Sequence, residues 1–114
     1  MSDCLFCGIA AGTVPADMVH QDDAVLAFRD INPQAPVHIL VVPREHIASA
    51  ADLTVAQDGM WARLLHVAQQ LAGSEGIDAT GFRLVVNTGR DAHQTVHHLH
   101  LHLLGGRSMG WPPG

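Results

Sequence analysis

The sequence lacks lysine and tyrosine altogether, and its six cationic residues, all arginine, stand against 11 acidic ones in a chain of 114 residues. The arginines are scattered and the formal net charge is -5. Because binding to a phosphate backbone relies on clustered cations, this composition argues against a nucleic-acid partner. A small anionic ligand held by a few placed donors stays compatible with it.

Long apolar runs are also missing. The longest strongly apolar stretch, Ile39–Pro43, is far too short to span a bilayer. The first residues, "MSDCLFCGIA", have no basic segment followed by an apolar run of the kind that marks a secretory signal. We therefore expect a cytoplasmic protein without a membrane partner.

Cysteine is scarce, with only Cys4 and Cys7 in the chain. A domain of this length buries one core without disulfides, and a reducing cytoplasm favours metal ligation or free thiols. The C-x-x-C spacing is a common half-site for zinc, whereas a redox role lacks the expected βαβ context. With no internal repeat or linker, residues 1–114 are expected to form one domain.

The local patterns predict an α+β fold, with helices packed on an antiparallel sheet. Thr54 and Gln57 have capping-box spacing, and apolar residues then recur at helical intervals until Gly73 and Gly76. A short helix is expected at the amino terminus, within residues 4–12. The predicted strands cover residues 24–30, 37–43, 82–87 and 96–106.

The segment "VHHLHLHLLGG" has four histidines within six residues, His97 to His102. Side chains alternate in a strand, so His98, His100 and His102 share one face at intervals of about 6.6 to 7 Å. Three such imidazoles do not easily converge on one zinc ion. A solvated polar face is the plain alternative, and a division of labour among the three histidines is favoured.

These residues resemble the signature of the histidine triad (HIT) superfamily of nucleotide hydrolases and transferases. "DDAVLAFRDINPQAPVHILVVPREHI", "LVVN" and "LLGGRSMGWPPG" are similar to the Hint branch, the nucleoside phosphoramidases. The resemblance implies a HIT-like fold with about five antiparallel strands, one long helix and a short amino-terminal helix. It also implies hydrolysis of the P-N bond of nucleoside 5'-phosphoramidates, derived from purine nucleoside monophosphates, through a nucleotidyl-histidine intermediate.

By the same resemblance His100 is the nucleophile, His102 supplies hydrogen bonds and protonation near the leaving group, and His38 supports the catalytic imidazole. A neutral imidazole suits nucleophilic attack at pH 7. Cys4, Cys7, His46 and His98 are implied as a structural zinc site, and a pair of reduced, partly buried thiols is the alternative. His20 and His66 have no partner motif, and His97 is expected to be structural.

The resemblance further implies a substrate pocket. Asp30 would accept hydrogen bonds from the ribose hydroxyls. Trp111, in a Pro- and Gly-rich tail, is expected to reach the partner's site in a homodimer. The base would contact Phe6, Ile9, Val14, Phe28 and Ile31, and the phosphate side would involve Asn87, Gln94 and Thr95. Core packing is an alternative for the apolar positions, as is a turn role for Asn87.

One departure and two functional alternatives remain. His93 stands in the phosphate-side loop where Hint relatives usually have glycine, which could alter the shape of the pocket. The alternatives are a non-catalytic nucleotide-binding or regulatory protein, and a dinucleotide hydrolase or nucleotidyl transferase of another HIT branch. The transferases typically replace the third histidine with glutamine, so His102 favours hydrolysis.

Overall fold

The computed structural model describes residues 4–114, which form an α+β fold. Two short 3-10 turns, Ala50–Asp52 and Val55–Gln57, precede the long helix. The helices are α1 (Leu5–Ala10) and α2 (Asp58–Ser74), and the strands are β1 (Met18–Gln21), β2 (Val25–Arg29), β3 (Val37–Pro43), β4 (Phe82–Val85) and β5 (Leu101–Gly105). None of the described helices is both long and apolar enough to cross a membrane.

All five strands pair antiparallel in the order β1-β2-β3-β5-β4. The predicted α+β class, the antiparallel sheet and the one long helix with a short amino-terminal helix are confirmed. In the β3-β5 register Leu40 lies opposite His102, and His38 lies opposite Leu104. This pairing brings the histidine-rich segment onto the strand that follows the "INPQAP" turn.

The last strand is shorter than predicted, because it begins at Leu101 rather than at residue 96. Pro43 has no N-H to continue the ladder, and its carbonyl accepts a hydrogen bond from the His98 side chain instead. The Leu99 amide donates to the carbonyl of Ile47, in the loop that follows β3. The segment of residues 96–100 therefore follows this loop rather than the strand, and β4 likewise ends at Val85 rather than at residue 87.

The two faces of the sheet carry two separate apolar cores. Helix α2 packs on one face through buried residues that include Leu64, Ala68 and Leu71, and there it meets Leu99, Leu101 and Leu103 from the histidine segment. On the other face α1 contributes Phe6 and Ile9 to a smaller core with Leu26, Phe28, Leu40 and Val42. The histidines of the segment face this second core, beside α1.

The long helix begins at Asp58, just after the predicted capping box. The Gln57 side chain accepts from the Thr54 amide at 3.0 Å, so the box caps the preceding 3-10 turn. Among the apolar residues that recur at helical intervals before Gly73, which include Met60, Leu64, Leu65 and Leu71, Leu65 is the exception, because it is 45% exposed. It lies on the helix side that faces away from the sheet.

Candidate active site and metal cluster

A cavity of about 350 Å³ opens on the α1 face of the sheet, beside the histidine segment. Its walls come from α1, β2, β3 and the turn after β2, while the loop before β5 closes one end. The lining residues are Leu5, Phe6, Val14, Pro15, Ala16, Phe28, Arg29, Asp30, Ile31, Leu40, Thr95, Val96, His100 and His102. Most of the wall is apolar, and its polar residues are Arg29, Asp30, Thr95, His100 and His102.

The structure brings together six of the residues expected to bind substrate: Phe6, Val14, Phe28, Asp30, Ile31 and Thr95. Four others do not line the cavity. Ile9 is 7% exposed and packs in the α1 core, Asn87 follows β4, and Trp111 is 83% exposed in the tail. The cavity within one chain therefore includes four of the five expected base contacts, the expected ribose contact and, of the expected phosphate-side contacts, only Thr95.

The fourth of these, Gln94, has its amide fully engaged within the protein. Its Oε1 accepts from the Gly89 amide at 3.0 Å, and its Nε2 donates to the carbonyls of Ala48 and Val96 at 2.9 and 3.0 Å. Since both polar atoms are used, Gln94 fixes the loop that carries Thr95. Gln94 therefore supports the loop beside the cavity and does not line the cavity itself.

His93, one residue earlier, has a positive φ of 65°. A residue with a side chain pays a steric penalty in this left-handed region, whereas glycine adopts it freely. The glycine that Hint relatives usually have here is therefore explained by backbone conformation. The His93 amide donates to the Arg90 carbonyl at 3.0 Å, and the side chain is exposed.

The predicted nucleophile, His100, is held in one tautomer by the backbone. Its Nδ1 donates to the carbonyl of His98 at 2.7 Å, so the proton of the neutral ring is on Nδ1. The other nitrogen, Nε2, then carries a lone pair. The edge of Phe6 packs against the imidazole with a ring separation of 5.1 Å, and the residue is 8% exposed. A rigid ring with one basic nitrogen is the arrangement that nucleophilic attack requires.

His102 and His38 form a directed pair beside it. The Gln34 amide donates to Nδ1 of His38 at 3.0 Å, which leaves the proton of neutral His38 on Nε2. That Nε2 lies 2.9 Å from Nδ1 of His102 and donates to it, so the proton of neutral His102 is on its own Nε2. Among residues 4–114 this Nε2 is the one buried side-chain nitrogen or oxygen without a partner.

Burial keeps both of these imidazoles neutral. Desolvation and the neighbouring imidazoles of His100 and His38 lower the pKa of His102 to about 4. Desolvation also lowers the pKa of His38, although Asp30, 3.5 Å away, opposes this shift. A neutral His102 presents an N-H donor to the cavity, which suits an anionic group such as a phosphate.

A second group of side chains meets at the amino-terminal end of α1. Sγ of Cys4 lies 3.2 Å from Nδ1 of His98, while Sγ of Cys7 lies 3.2 Å from Nδ1 of His46 and 3.6 Å from Nδ1 of His98. All four potential ligand atoms lie within 4.8 Å of one another. Ligands of one tetrahedral zinc ion lie about 3.3 to 3.8 Å apart, so this spacing fits a metal ion.

His98 is oriented for ligation by a contact on its other side. Its Nε2 donates to the Pro43 carbonyl at 2.8 Å, which leaves Nδ1 unprotonated and directed at the two sulfurs. Metal-binding histidines commonly make such a hydrogen bond through the second ring nitrogen. The residue is completely buried, and this burial lowers its pKa, so the neutral form that binds metals is favoured.

Sequence reasoning missed several contributors to the site. Leu5, Pro15, Ala16, Leu40 and Val96 line the cavity without belonging to a polar motif, and only the fold reveals them. The role of the Gln34 amide in orienting His38 was also missed. The tight "NPQAPVH" turn was its only signal in the sequence.

Comparisons with known proteins agree with this geometry. A family model described as the HIT domain matches residues 11–109. The chain is 44% identical over 108 residues to a purine nucleoside phosphoramidase of Escherichia coli (strain K12), which covers 95% of this chain and 91% of the relative. It is 45% identical over 114 residues to a 14 kDa zinc-binding protein of Brassica juncea, covering 98% of this chain and all of the relative.

A solved structure is similar over almost the same extent. A HIT family hydrolase from Legionella pneumophila Philadelphia 1 superposes with a TM-score of 0.97 at 50% sequence identity. The match covers 98% of this chain and all of that one.

The buried neutral imidazoles predict how stability depends on pH. In the unfolded chain histidine titrates near pH 6.5, whereas the folded pKa of His102 is about 4. The contribution of neutral His102 to the free energy of unfolding is complete above pH 6.5 and is lost as the pH falls toward 4. In this range the unfolded chain binds a proton at His102, whereas the folded protein does not. His102→Gln should reduce the slope of unfolding free energy against pH by up to about 1.4 kcal/mol per unit in this window.

Urea unfolding at a series of pH values measures this slope. His66→Gln, at an exposed position on α2, controls for the loss of a histidine outside the buried set. A wild-type slope in H102Q would contradict the neutral, buried state of His102.

Proposed function

The chain belongs to the HIT domain family, and we propose that it is a nucleotide hydrolase that cleaves the P-N bond of nucleoside 5'-phosphoramidates. The observation that carries the proposal is that one cavity contains two imidazoles in opposite tautomers. His100 offers a lone pair on Nε2, and His102 offers a proton on Nε2. The two rings lie 5.0 Å apart, so both can reach groups on one phosphorus atom.

In the first step Nε2 of His100 attacks the α-phosphorus. A bond forms between this nitrogen and phosphorus, while the bond from phosphorus to the leaving nitrogen breaks with its electron pair. The leaving nitrogen takes up a proton and departs as an amine. In the second step water attacks phosphorus and gives its proton to Nε2 of His102, which lost one to the leaving amine, while the bond from phosphorus to His100 breaks; this yields the nucleoside monophosphate and regenerates the free imidazole.

His102 supports both steps from the neutral state. In the substrate-free protein its pKa is about 4, so it enters the complex as a hydrogen-bond donor. A bound phosphate places negative charge beside its Nε2, which raises the pKa and favours a ring that is protonated on both nitrogens. The Nε2 proton then faces the leaving nitrogen, while the Nδ1 proton requires Nε2 of His38 to change from hydrogen-bond donor to acceptor. His38 holds the ring in place through the 2.9 Å contact.

The cavity suits the nucleoside half of such a substrate. Phe6 and Phe28 meet edge to face at 5.3 Å and, with Val14, give an apolar slot for a flat base. Asp30 lies beside this slot, where its carboxylate can accept from the ribose hydroxyls. The similar purine nucleoside phosphoramidase of Escherichia coli supports a purine derivative as the substrate.

Replacing the nucleophile tests the mechanism. We expect His100→Ala to lower the hydrolysis of adenosine 5'-phosphoramidate at least about a thousandfold, because no other lone pair takes its place. Rapid quenching and mass spectrometry of the wild type should detect one nucleotidyl group attached to His100. His66→Ala, at an exposed position on α2, is the control.

The same assay separates the alternatives. Hydrolysis by H100A at the wild-type rate would refute the nucleophile assignment. Binding of nucleotides without turnover by the wild type would indicate a binding protein. Transfer of the nucleotidyl group to an acceptor other than water would indicate a transferase.

We also propose that Cys4, Cys7, His46 and His98 hold a structural zinc ion. Three sulfur-nitrogen distances of 3.2 to 3.6 Å, with all four ligand atoms within 4.8 Å of one another, fit tetrahedral zinc. Four protein ligands leave no open position, so the ion would supply rigidity and no chemistry at phosphorus. A reducing cytoplasm would keep both thiols free for this role.

Metal analysis tests this assignment. Purified protein should contain about one zinc per chain, and the double change of Cys4→Ser and Cys7→Ser should abolish it. Zinc at a free concentration a hundredfold above the Kd of the wild-type site stabilises the wild type by about 2.7 kcal/mol, and the double variant should lack this part of the free energy of unfolding. Unchanged zinc content in the double variant would exclude the cysteines as ligands, and H66A again provides the control.

A homodimer is the third proposal, and the edge strand β4 supports it. Phe82 and Leu84 on this strand are 38% and 37% exposed, and Arg83 donates to the Gly110 carbonyl at 2.8 Å. This contact holds the tail with the exposed Trp111 beside β4. An unpaired edge with apolar side chains is suited to pairing with a second copy. Trp111 would then reach the partner's cavity.

Sedimentation measures the oligomeric state. Leu84→Lys should convert a dimer to a monomer, since it places a charge in the middle of the proposed interface. Val55→Lys, at an apolar position that is 85% exposed next to α2, is the matched control and should leave the dimer intact. A dimer that persists in L84K would rule out this edge as the interface.

A further inference from the structure

Helix α1 belongs to the metal cluster and to the cavity at the same time. Cys4 caps the helix, where its Sγ accepts from the Cys7 amide at 3.3 Å, and Cys7 lies in the first turn. Between them, Leu5 and Phe6 line the cavity. One wall of the slot proposed for the base is thus a short helix whose cap and first turn carry two of the four proposed metal ligands.

The ring of Phe6 extends this connection to the catalytic segment. It is 4% exposed and lies edge-on to His98 at 5.8 Å and to His100 at 5.1 Å. Any displacement of α1 therefore moves a side chain that contacts both the metal cluster and the predicted nucleophile.

A second connection runs through His98 itself. Its imidazole lies within 3.2 and 3.6 Å of the two sulfurs, while its carbonyl accepts the Nδ1 proton of His100. One residue therefore orients the cluster with its side chain and the nucleophile with its backbone.

We propose that metal binding at the cluster and nucleotide binding in the cavity are energetically coupled, with Cys4, Cys7 and His46 acting as positioning residues for the cavity. The identity of the ligand, a nucleoside monophosphate, rests on the proposed function. By linkage, the metal raises nucleotide affinity and the nucleotide raises metal affinity by the same factor.

Preorganisation is the physical cause. A helix of only six residues is not stable by itself, so without a metal the placement of α1 depends on the packing of Phe6 and Ile9 and on the hydrogen bond from Arg44 to the Ala10 carbonyl at 3.2 Å. When α1 is in place in only a fraction of the molecules, the apparent affinity for the nucleotide is the intrinsic affinity multiplied by that fraction. Two thiolates balance the charge of a divalent ion, so electrostatic attraction between the metal and a phosphate is not the source.

Calorimetry with adenosine 5'-monophosphate as the probe tests the coupling. Chelator-stripped protein should bind it at least about fivefold more weakly than the zinc-loaded protein, and added zinc should restore the affinity. The double variant C4S/C7S should stay weak with or without zinc. The ratio between loaded and stripped forms should not change with salt, because it does not arise from charge.

The reciprocal measurement provides an internal check. Competition with a chromophoric chelator should show that zinc affinity rises with bound adenosine 5'-monophosphate by the same factor. Leu64→Ala, in the separate core beneath α2, lowers stability without touching α1 and should leave the nucleotide affinity of the loaded protein unchanged.

Equal nucleotide affinity in the loaded and stripped forms overturns the coupling while leaving the proposed function intact. If neither form binds the nucleotide, the proposed function and the coupling are both overturned.

A further variant covers the case in which stripped protein loses its fold. Phe6→Leu keeps all four ligands but removes the ring that contacts His98 and His100, so the nucleotide should raise its zinc affinity by a smaller factor than in the wild type. An equal factor would contradict the proposed path.

Discussion

The hydrogen bond from Nδ1 of His100 to the carbonyl of His98 is the constraint on which the candidate site depends. At 2.7 Å it fixes both the position and the tautomer of the predicted nucleophile. The carbonyl can face the ring because residues 98 and 99 leave the strand ladder and attach instead to Pro43 and Ile47. A regular strand through this segment would have given the carbonyl a partner in the sheet. The irregular backbone therefore has a chemical consequence.

The second constraint is the exclusion of water from the imidazoles. In the substrate-free protein burial keeps His38, His98 and His102 neutral, and the contacts that each ring makes there require the neutral form. A protonated His98 would not bind a metal, and a protonated His38 could not accept the Gln34 amide. His102 differs in that its outward nitrogen lacks a partner, and this leaves one donor for an anion. Desolvation, which disfavours the charged form of each ring, thus selects the neutral form of these histidines.

Much of the fold could be predicted because its signals are local. The alternation of Leu99, Leu101 and Leu103 with three histidines predicted that the two sets face opposite sides of the sheet, and this holds even where residues 98 to 100 are not in a strand. The length of that strand could not be predicted, because it depends on Pro43 and Ile47, more than fifty residues away. Strand β1 is equally non-local, since four residues with no clear alternation pair with β2.

The site divides in the same way. The metal ligands and the triad are chemically distinctive, so motifs and family resemblance could bring them into one hypothesis. The apolar lining from Leu5, Ala16 and Leu40 is chemically ordinary, and its membership in the cavity depends on α1 lying across the sheet. The phosphate contact expected of Gln94 stays a prediction, and in the structure its two polar atoms are engaged with three backbone partners.

The separation of the two cores explains how one small sheet combines stability with a site that tolerates change. Helix α2 and the leucines cover one face and require nothing from the metal cluster. The other face is covered only by α1 and the loops around it, and its core is smaller. Because most of the burial lies behind the sheet, movement of α1 costs less than movement of α2. The face with the histidines is consequently the one where a bound ligand would alter the structure most easily, and a metal held by the proposed ligands on α1 would act on the smaller of the two cores.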